Sequence, residues 1–511
     1  MKLQLALIFG EHMVFQRNQK IKVWGRCANN DEITVQIGSN KVTVDSNDGS
    51  WLAELPEMEA CNRTVMKVTS LKTREEICFK DVAVGEVWLA GGQSNMEFLV
   101  KYDYDALELK KTSADDYFRF FNYPHVAFAG YLEKETCADD GFWRKWDSEE
   151  DKNRFSAVGA YMGLLLRKYL QVPVAIIGCN WGGTPASAWT SKEALESNPA
   201  LQQVLEDYRN TTAQITDWPL YIKTSETKEP VMNKEQQEFQ DRFMMGEDMS
   251  EFFAMLENMP KPDINIYNTY PLTPRSATRP AGVYNHMLKK VAPYGIRGVI
   301  WYQGEDDDAR DWAEFYNESM KALINCWRKL WGYDFPFLQV ELAPFRGRGF
   351  SASKKYALMR KLQHKVSREL EDVYNICILD VGEEFNIHPR KKKNVGRRLG
   401  QVALKHVYND NSRVADCPSA ISCTRKDNQL EIKFKDVADG LYEKGNLKDV
   451  LFITAQEKRL DYTYQLKTDK LIIDVELLDE KAKINYCDEN YCVAVLFNSE
   501  DNPVYGFEFE I

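Results

Sequence analysis

Ser94 stands in the run Gly91-Gly92-Gln93-Ser94-Asn95-Met96. Val82 to Ala90, just before it, is short and apolar with a β-branched and aromatic bias, which predicts a buried strand. A hydroxyl at a strand-to-helix turn sits at the mouth of a sheet. Backbone N–H groups there can face a developing oxyanion, and glycine permits the sharp turn. The run lacks the second glycine of the α/β-hydrolase elbow, and Gly-x-Ser alone equally describes a tight turn with a serine N-cap. Three later loops change the reading: Asn180-Trp181-Gly182-Gly183-Thr184-Pro185, Gln303-Gly304-Glu305 and Asn386-Ile387-His388-Pro389. Each follows a predicted strand, and in open α/β sheets ligands bind at the C-terminal strand ends. Together these residue types suit acyl transfer. Ser94 would attack, His388 would take its proton, and backbone N–H groups with a side-chain amide would hold the oxyanion.

The elements that must position these residues read as three domains. Residues 1–80 carry short alternating runs (Ile21 to Trp24, Ile33 to Ile37, Val42 to Val44, Trp51 to Leu55) between turn residues, which predicts an N-terminal β-sandwich. Residues 81–414 read as α/β with a doubly wound parallel sheet. Its strands are the Ser94 strand, Val172 to Cys179, Gly298 to Tyr302, Phe337 to Leu342 and Ile376 to Leu379. Its helices are Ser156 to Leu170, an amphipathic segment from Trp312 to Leu330, Tyr356 to Leu370 and Asn394 to His406. Residues 192–275 read as a charged helical insertion. Residues 415–511 return to alternation (Gln429 to Phe434, Lys470 to Val475, Cys492 to Phe497), a second β-sandwich.

Composition narrows the class. At 511 residues, 44% hydrophobic and 28% charged, the chain has ample core for several domains. A net charge of −11 leaves no basic excess for phosphates, so no nucleic-acid partner is expected. The eleven cysteines are scattered and never in a Cys-x-x-Cys pair, which suits reduced, buried thiols. No stretch is long and apolar enough to span a bilayer. Met1 to Phe9 is too short an apolar run for a leader and reads as a first strand. A cytoplasmic location is therefore expected, with the mature form of an exported protein as the alternative.

The motifs resemble the sialate O-acetylesterase family of the SGNH hydrolase superfamily, over most of the chain. His12-Met13-Val14-Phe15-Gln16-Arg17 with Val23-Trp24-Gly25 is similar to that family's N-terminal β-domain, and Gly92-Gln93-Ser94-Asn95-Met96 to its nucleophile block. Trp181-Gly182-Gly183-Thr184-Pro185, Ala188-Trp189-Thr190-Ser191, Arg279-Pro280, Tyr284-Asn285, Trp301-Tyr302-Gln303-Gly304-Glu305 and Ile387-His388-Pro389 match further blocks. The resemblance implies an SGNH-type esterase domain between two β-sandwiches. Ser94 would be the nucleophile and His388 the base, with Ser94 N–H, the Gly182-Gly183 loop and the Gln303 amide as oxyanion hole. The substrate would be an O-acetylated sugar, sialic acids first and acetylated xylan fragments as the alternative. No metal and no organic cofactor are implied.

One departure bears on catalysis. Asn386 stands where members of the family often carry an aspartate two residues before the histidine. Loss of that charge in a serine triad costs orders of magnitude in rate. Either Glu384, Glu383 or Asp380 replaces it, or Ser94 and His388 work as a dyad with Asn386 orienting the ring. A sugar-binding protein that has lost catalysis is the reading from a different class. Asp306 to Asp308 read as a solvated loop and helix-start carboxylates. Arg390 to Lys393 read as a solvated helix start, with attraction of an anionic sugar as the sharper alternative. His12, His125, His286, His364 and His406 read as structural.

Overall fold

The strand Glu76–Gly92 is the longest in the molecule, and its last twelve residues are all buried. Its first half pairs antiparallel with Cys61–Ser70. Its second half pairs parallel with Val174–Asn180, in a register that sets Glu86 beside Val174 and Gly92 beside Asn180. The expected domain boundary at residue 80 thus falls inside one continuous strand. The computed structural model describes residues 2–128, 140–220, 234–247, 276–348, 352–476 and 481–511. It is a mixed α/β chain with several sheets. Two compact units divide it: Met1–Gln236 with Asn268–Trp301 and Glu318–Phe337, and Gln237–Tyr267 with Tyr302–Asn317 and Leu338–Ile511.

In the first unit the order runs Trp143–Trp146, Asp115–Asn122, Val174–Asn180, Glu76–Gly92, Gly298–Tyr302. The helix Ala157–Leu170 follows the predicted periodicity. Ser156 caps it by accepting from Gly159 N–H at 3.1 Å, and Val158, Met162 and Leu166 are buried. The N-terminal strands form a three-stranded sheet, Gln4–Leu5, Ile21–Arg26, Ser50–Leu55, and a second group, Glu32–Ile37 with Asn40–Asp45 and Cys61–Ser70, that runs on into the long strand. Glu86 ties these parts together. It is fully buried, and its carboxylate accepts from Arg17 Nε at 2.5 Å, Arg297 Nε at 2.9 Å and Gln16 Nε2 at 3.2 Å. A buried carboxylate is tolerated only when so paired.

In the second unit Phe337–Val340 lies beside Val373–Ile376, linked by Glu341 N–H to Ile376 O at 3.2 Å. The strand expected at Ile376 to Leu379 ends at Ile376. Cys377 and Leu379 are apolar for a different reason: they join a core with Leu430, Ile432, Ile453 and Ile484 of the C-terminal strands. Those strands form two four-stranded antiparallel sheets, one from Ser419–Lys426, Gln429–Lys435, Lys470–Val475 and Tyr462–Leu466, the other from Lys458–Arg459, Leu451–Ala455, Ala482–Tyr486 and Phe507–Glu510. Of the expected 192–275 insertion, Lys192–Ser197, Gln202–Ala213 and Lys234–Met244 are helices. Residues 221–233 and 248–275 lie outside the described residues.

Glu341, directly after Phe337–Val340, is 2% exposed. Burial pushes its carboxyl up to about 7, against weaker help from the Cys377 thiol, Arg360 and Asn375. An acid raised in the fold contributes full stability below its unfolded value, near 4.5, and loses it as pH rises through the folded value. The loss expected between about pH 4.5 and pH 7 is on the order of 3 kcal/mol. Thermal unfolding of Glu341→Gln followed across that window should show a flatter melting temperature than wild type, and a higher one at pH 8.

Candidate active site

Ser94 opens a one-turn helix, Ser94–Glu97, at the end of the long strand and is half-buried. Two features force the turn. Gly92 holds φ at +128°, which side-chain-bearing residues avoid. Ser156, the cap of the next helix, donates its hydroxyl to Met96 O at 2.6 Å and so ties the turn down. The parallel register continues past the strands, with Trp181 N–H donating to Gly92 O at 3.0 Å, and it delivers the Gly182-Gly183 loop to Ser94. A Cβ built at Gly182 would lie 3.3 Å from Ser94 Cβ. Thr184 locks the loop, donating to Trp181 O at 2.7 Å and accepting from Trp189 Nε1 at 2.8 Å.

Gly182 N–H donates to Glu97 Oε2 at 2.8 Å, so that donor already has an acceptor. Gly183, at φ +68°, is exposed, and a Cβ there would meet nothing within 4 Å. Glu97 comes from the same turn as Ser94, three residues on, and so fastens the Ser94 helix to the glycine loop. His125 completes this side. Its ring stacks on Trp181 at 4.4 Å and 3°, its Nε2 donates to Asn180 O at 3.0 Å, and that nitrogen lies 3.7 Å from Glu97 Oε1. These contacts give the structural role expected of His125 its particular partners. Sequence spacing separates it from Ser94 and Trp181, and only the order of strands brings them to one sheet end.

In the second unit Gln303 is fully buried. Its Nε2 donates to Asp307 Oδ2 at 2.6 Å, its Oε1 accepts from Tyr316 OH at 3.1 Å, and its backbone O accepts from Gln363 Nε2 at 3.0 Å. The amide orientation is thereby fixed, with Nε2 as donor. The expectation of a solvated Asp306–Asp308 is corrected: the three are 6%, 1% and 2% exposed on a short helix, Glu305–Ala309. Each has work inside. Asp306 pairs with Arg310 Nε at 2.6 Å, Asp307 holds Gln303, and Asp308 accepts from Lys354 N–H at 2.8 Å and Lys355 N–H at 2.6 Å, just ahead of the helix Tyr356–Glu369. Among the described residues no group of three or more His, Cys, Asp or Glu could hold a metal ion, and no helix is long and apolar enough to cross a membrane.

His388 lies in the same unit and is 9% exposed. Burial, and then the Lys392 ammonium, push its imidazole down to about 3, so the ring is a neutral base near pH 7. Lys392 is itself fully buried, its Nζ 5.2 Å from the centre of the Tyr302 ring, which corrects the expectation that Arg390 to Lys393 is uniformly solvated. Phe243 meets the imidazole edge-on at 5.5 Å. The candidate third members are engaged elsewhere. Asn386 Oδ1 accepts from His388 N–H at 3.0 Å, Glu383 accepts from Asn386 Nδ2 at 3.0 Å and Arg390 N–H at 2.8 Å, and Glu384 pairs with Arg346 Nη1 at 2.6 Å. Asp380 takes Arg398 in a two-pronged bond at 2.6 and 2.8 Å. Asn386 and Glu383 bond within the histidine's loop, while Glu384 and Asp380 bond to arginines outside it, and Asp380 also accepts from Asn394 Nδ2 at 3.3 Å.

The first unit places a serine against a glycine loop at the end of an α/β sheet, and the second holds a fixed amide and a neutral buried histidine; residues of these types serve in ester hydrolases. Residues 275–405 match the carbohydrate esterase family described as sialic acid-specific acetylesterase. Sialate O-acetylesterase of Homo sapiens is 23% identical over 449 residues, which covers 81% of this chain and 73% of that protein. The Mus musculus protein is 24% identical over 437 residues, covering 80% and 74%. A crystal structure of a carbohydrate acetylesterase from Xanthomonas citri shares the fold, with a TM-score of 0.75 at 24% identity over 99% of each chain. The chain is thus similar to the sialate O-acetylesterases, as its motifs indicated.

Two substitutions test this geometry. Glu97→Ala leaves Gly182 N–H without its acceptor and frees the loop to drift, so kcat should fall by roughly 10–10²-fold with KM little changed. Glu97→Gln keeps an acceptor oxygen and should restore most of the rate. Lys392→Met removes the cation that helps hold His388 neutral. Its pH profile of kcat/KM should show the acid limb moved up toward neutrality relative to wild type.

Proposed function

We propose that this chain hydrolyses O-acetyl esters of sugars, O-acetylated sialic acids first, through a Ser94 acetyl-enzyme. The observation that carries the reading is the placement of Ser94 at the C-terminal end of the buried strand, with the Gly182-Gly183 turn against its Cβ. In this scheme Ser94 Oγ attacks the acetyl carbonyl while the His388 imidazole takes the hydroxyl proton. The tetrahedral oxyanion is met by Ser94 N–H, by Gly183 N–H (Gly182 N–H being held by Glu97) and by the second Nε2 hydrogen of Gln303. Collapse expels the sugar oxygen, which takes the proton back from His388, and water repeats the cycle to release acetate. The proposed pair is a dyad, with Asn386 shaping the loop through His388 N–H rather than standing in for a carboxylate. The architecture proposed with it is an SGNH-type α/β domain, 81–414, between β-sandwiches at 1–80 and 415–511.

The human and mouse relatives bear the name sialate O-acetylesterase, whereas the Xanthomonas protein is titled more broadly a carbohydrate acetylesterase. The second reading, an esterase of acetylated xylan fragments, follows from that breadth. Acetate release should be measured over acetylated sialic acids, acetylated xylo-oligosaccharides and 4-nitrophenyl acetate. Ser94→Ala should lose at least about 10³-fold in kcat on every substrate it turns over. Gln303→Ala should lose about 10²–10³-fold in kcat with KM nearly constant. Undiminished turnover in Ser94→Ala would remove the scheme. A preference for the xylo-oligosaccharides would replace the sialate reading.

A further inference from the structure

In the second unit, Cys487 and Cys492 bring their sulfurs to 2.9 Å, both thiols buried at 3% and 9% exposure. A disulfide bond is about 2.05 Å long, so a shift of under about 1 Å would join them. The short loop between them is no ordinary surface turn. Asn490 at its tip makes five hydrogen bonds to one segment. Its Nδ2 donates to Ser353 O at 3.0 Å and Lys354 O at 3.1 Å, its Oδ1 accepts from Ala357 N–H at 3.2 Å, and its backbone O accepts from Phe345 N–H at 3.0 Å and Arg360 Nη1 at 3.3 Å. The next residues of that segment reach the histidine's loop: Arg346 N–H and Gly347 N–H donate to Glu384 O at 2.9 and 3.0 Å, and the Arg346 guanidinium pairs with the Glu384 carboxylate. The segment that seats Asn490 is thus also bonded to Glu384, four residues before His388.

We propose that Cys487 and Cys492 are a thiol-oxidation site, and that their disulfide closes the neck of the Asn490 loop and so staples it in the seated form that bonds the segment in contact with Glu384. Cys492, next to exposed Val493, is the thiol that reacts first. As thiolate it attacks one sulfur of a small-molecule disulfide such as oxidised glutathione and releases one glutathione thiolate. Cys487 gives its proton to solvent and attacks the Cys492 sulfur, displacing the second glutathione. Two protein thiols are oxidised and one glutathione disulfide is reduced to two thiols. Burial raises the Cys487 thiol well above its ordinary range, which makes the second step the slower of the two. Joining the neck restricts the loop in the opened state more than in the seated one, so the oxidised protein should open less readily.

The full-length protein should be equilibrated in glutathione buffers of increasing oxidised fraction. Free thiols are then alkylated, and the fragment holding both cysteines is weighed. The expected result is a fragment lighter by two hydrogens and free of alkylation at Cys487 and Cys492. Its midpoint of thermal unfolding should be higher, its proteolysis near residues 345–357 slower by several-fold, and both effects should be reversed by dithiothreitol. Cys492→Ala and Cys487→Ser should show neither response to the oxidant. Two alkylated thiols at full oxidation would overturn the site. A disulfide that leaves unfolding and proteolysis unchanged in the wild-type protein would overturn the staple. None of these readouts uses ester turnover, so the result stands apart from the proposed activity.

Discussion

A carboxylate with no access to water governs how the first unit is put together. Glu86 sits in the buried half of the long strand, and its charge is tolerable because Arg17, Arg297 and Gln16 converge on it. Two of those partners lie on the N-terminal side and one stands just before the strand Gly298–Tyr302. Each must reach Glu86 for the others to be worth burying, since a buried pair with one partner removed typically costs 3–5 kcal/mol. The N-terminal strands, the strand that ends at Ser94 and its neighbour are therefore positioned by one electrostatic requirement. The direction in which Ser94 emerges follows from it.

Carboxylates recur in the parts around the chemistry, and they act on the backbone more than on the substrate. Glu97 takes Gly182 N–H, Asp308 takes the first amides ahead of the helix Tyr356–Glu369, and Glu383 takes Arg390 N–H. Charge-assisted bonds of this kind are stronger than neutral ones and leave a loop with fewer alternatives. Asp307 does the same for an amide side chain, fixing which way Gln303 points. His388, by contrast, is kept uncharged by burial and a neighbouring cation. Acids hold the frame, and the His388 ring is kept uncharged beside a cation.

Much of this was legible in the sequence, and what was not has a physical cause. Strand-and-loop order exposed Ser94, Gly182-Gly183, Gln303 and His388, because apolar runs ending in glycine or polar turns are local signals. The helix Ala157–Leu170 announced itself by its periodicity and its Ser156 cap. The burial of Asp306–Asp308 and of Lys392 was misread, because a charged run looks solvated until its partners, far away in sequence, are known. The partners of His125 escaped for the same reason: Trp181, which stacks on it, and its neighbour Glu97 meet it only through the sheet. Asn386 was noticed as a gap in a pattern, and the structure gives it a different task in the loop backbone.

The shared core of Cys377 and Leu379 with the C-terminal strands has a consequence for how such a protein can change over time. Tyr505 donates its hydroxyl to Asn375 O at 2.6 Å, and Ala494 N–H donates to Leu379 O at 3.1 Å, so the seam is polar as well as apolar. A module that can be shuffled between genes must carry its own closed core. Residues 415–511 do not, because part of their interior is supplied by residues 377–379. The change in pattern near residue 414 is a border in sequence but not in the core, so moving residues 415–511 alone would leave Cys377 and Leu379 without their packing partners.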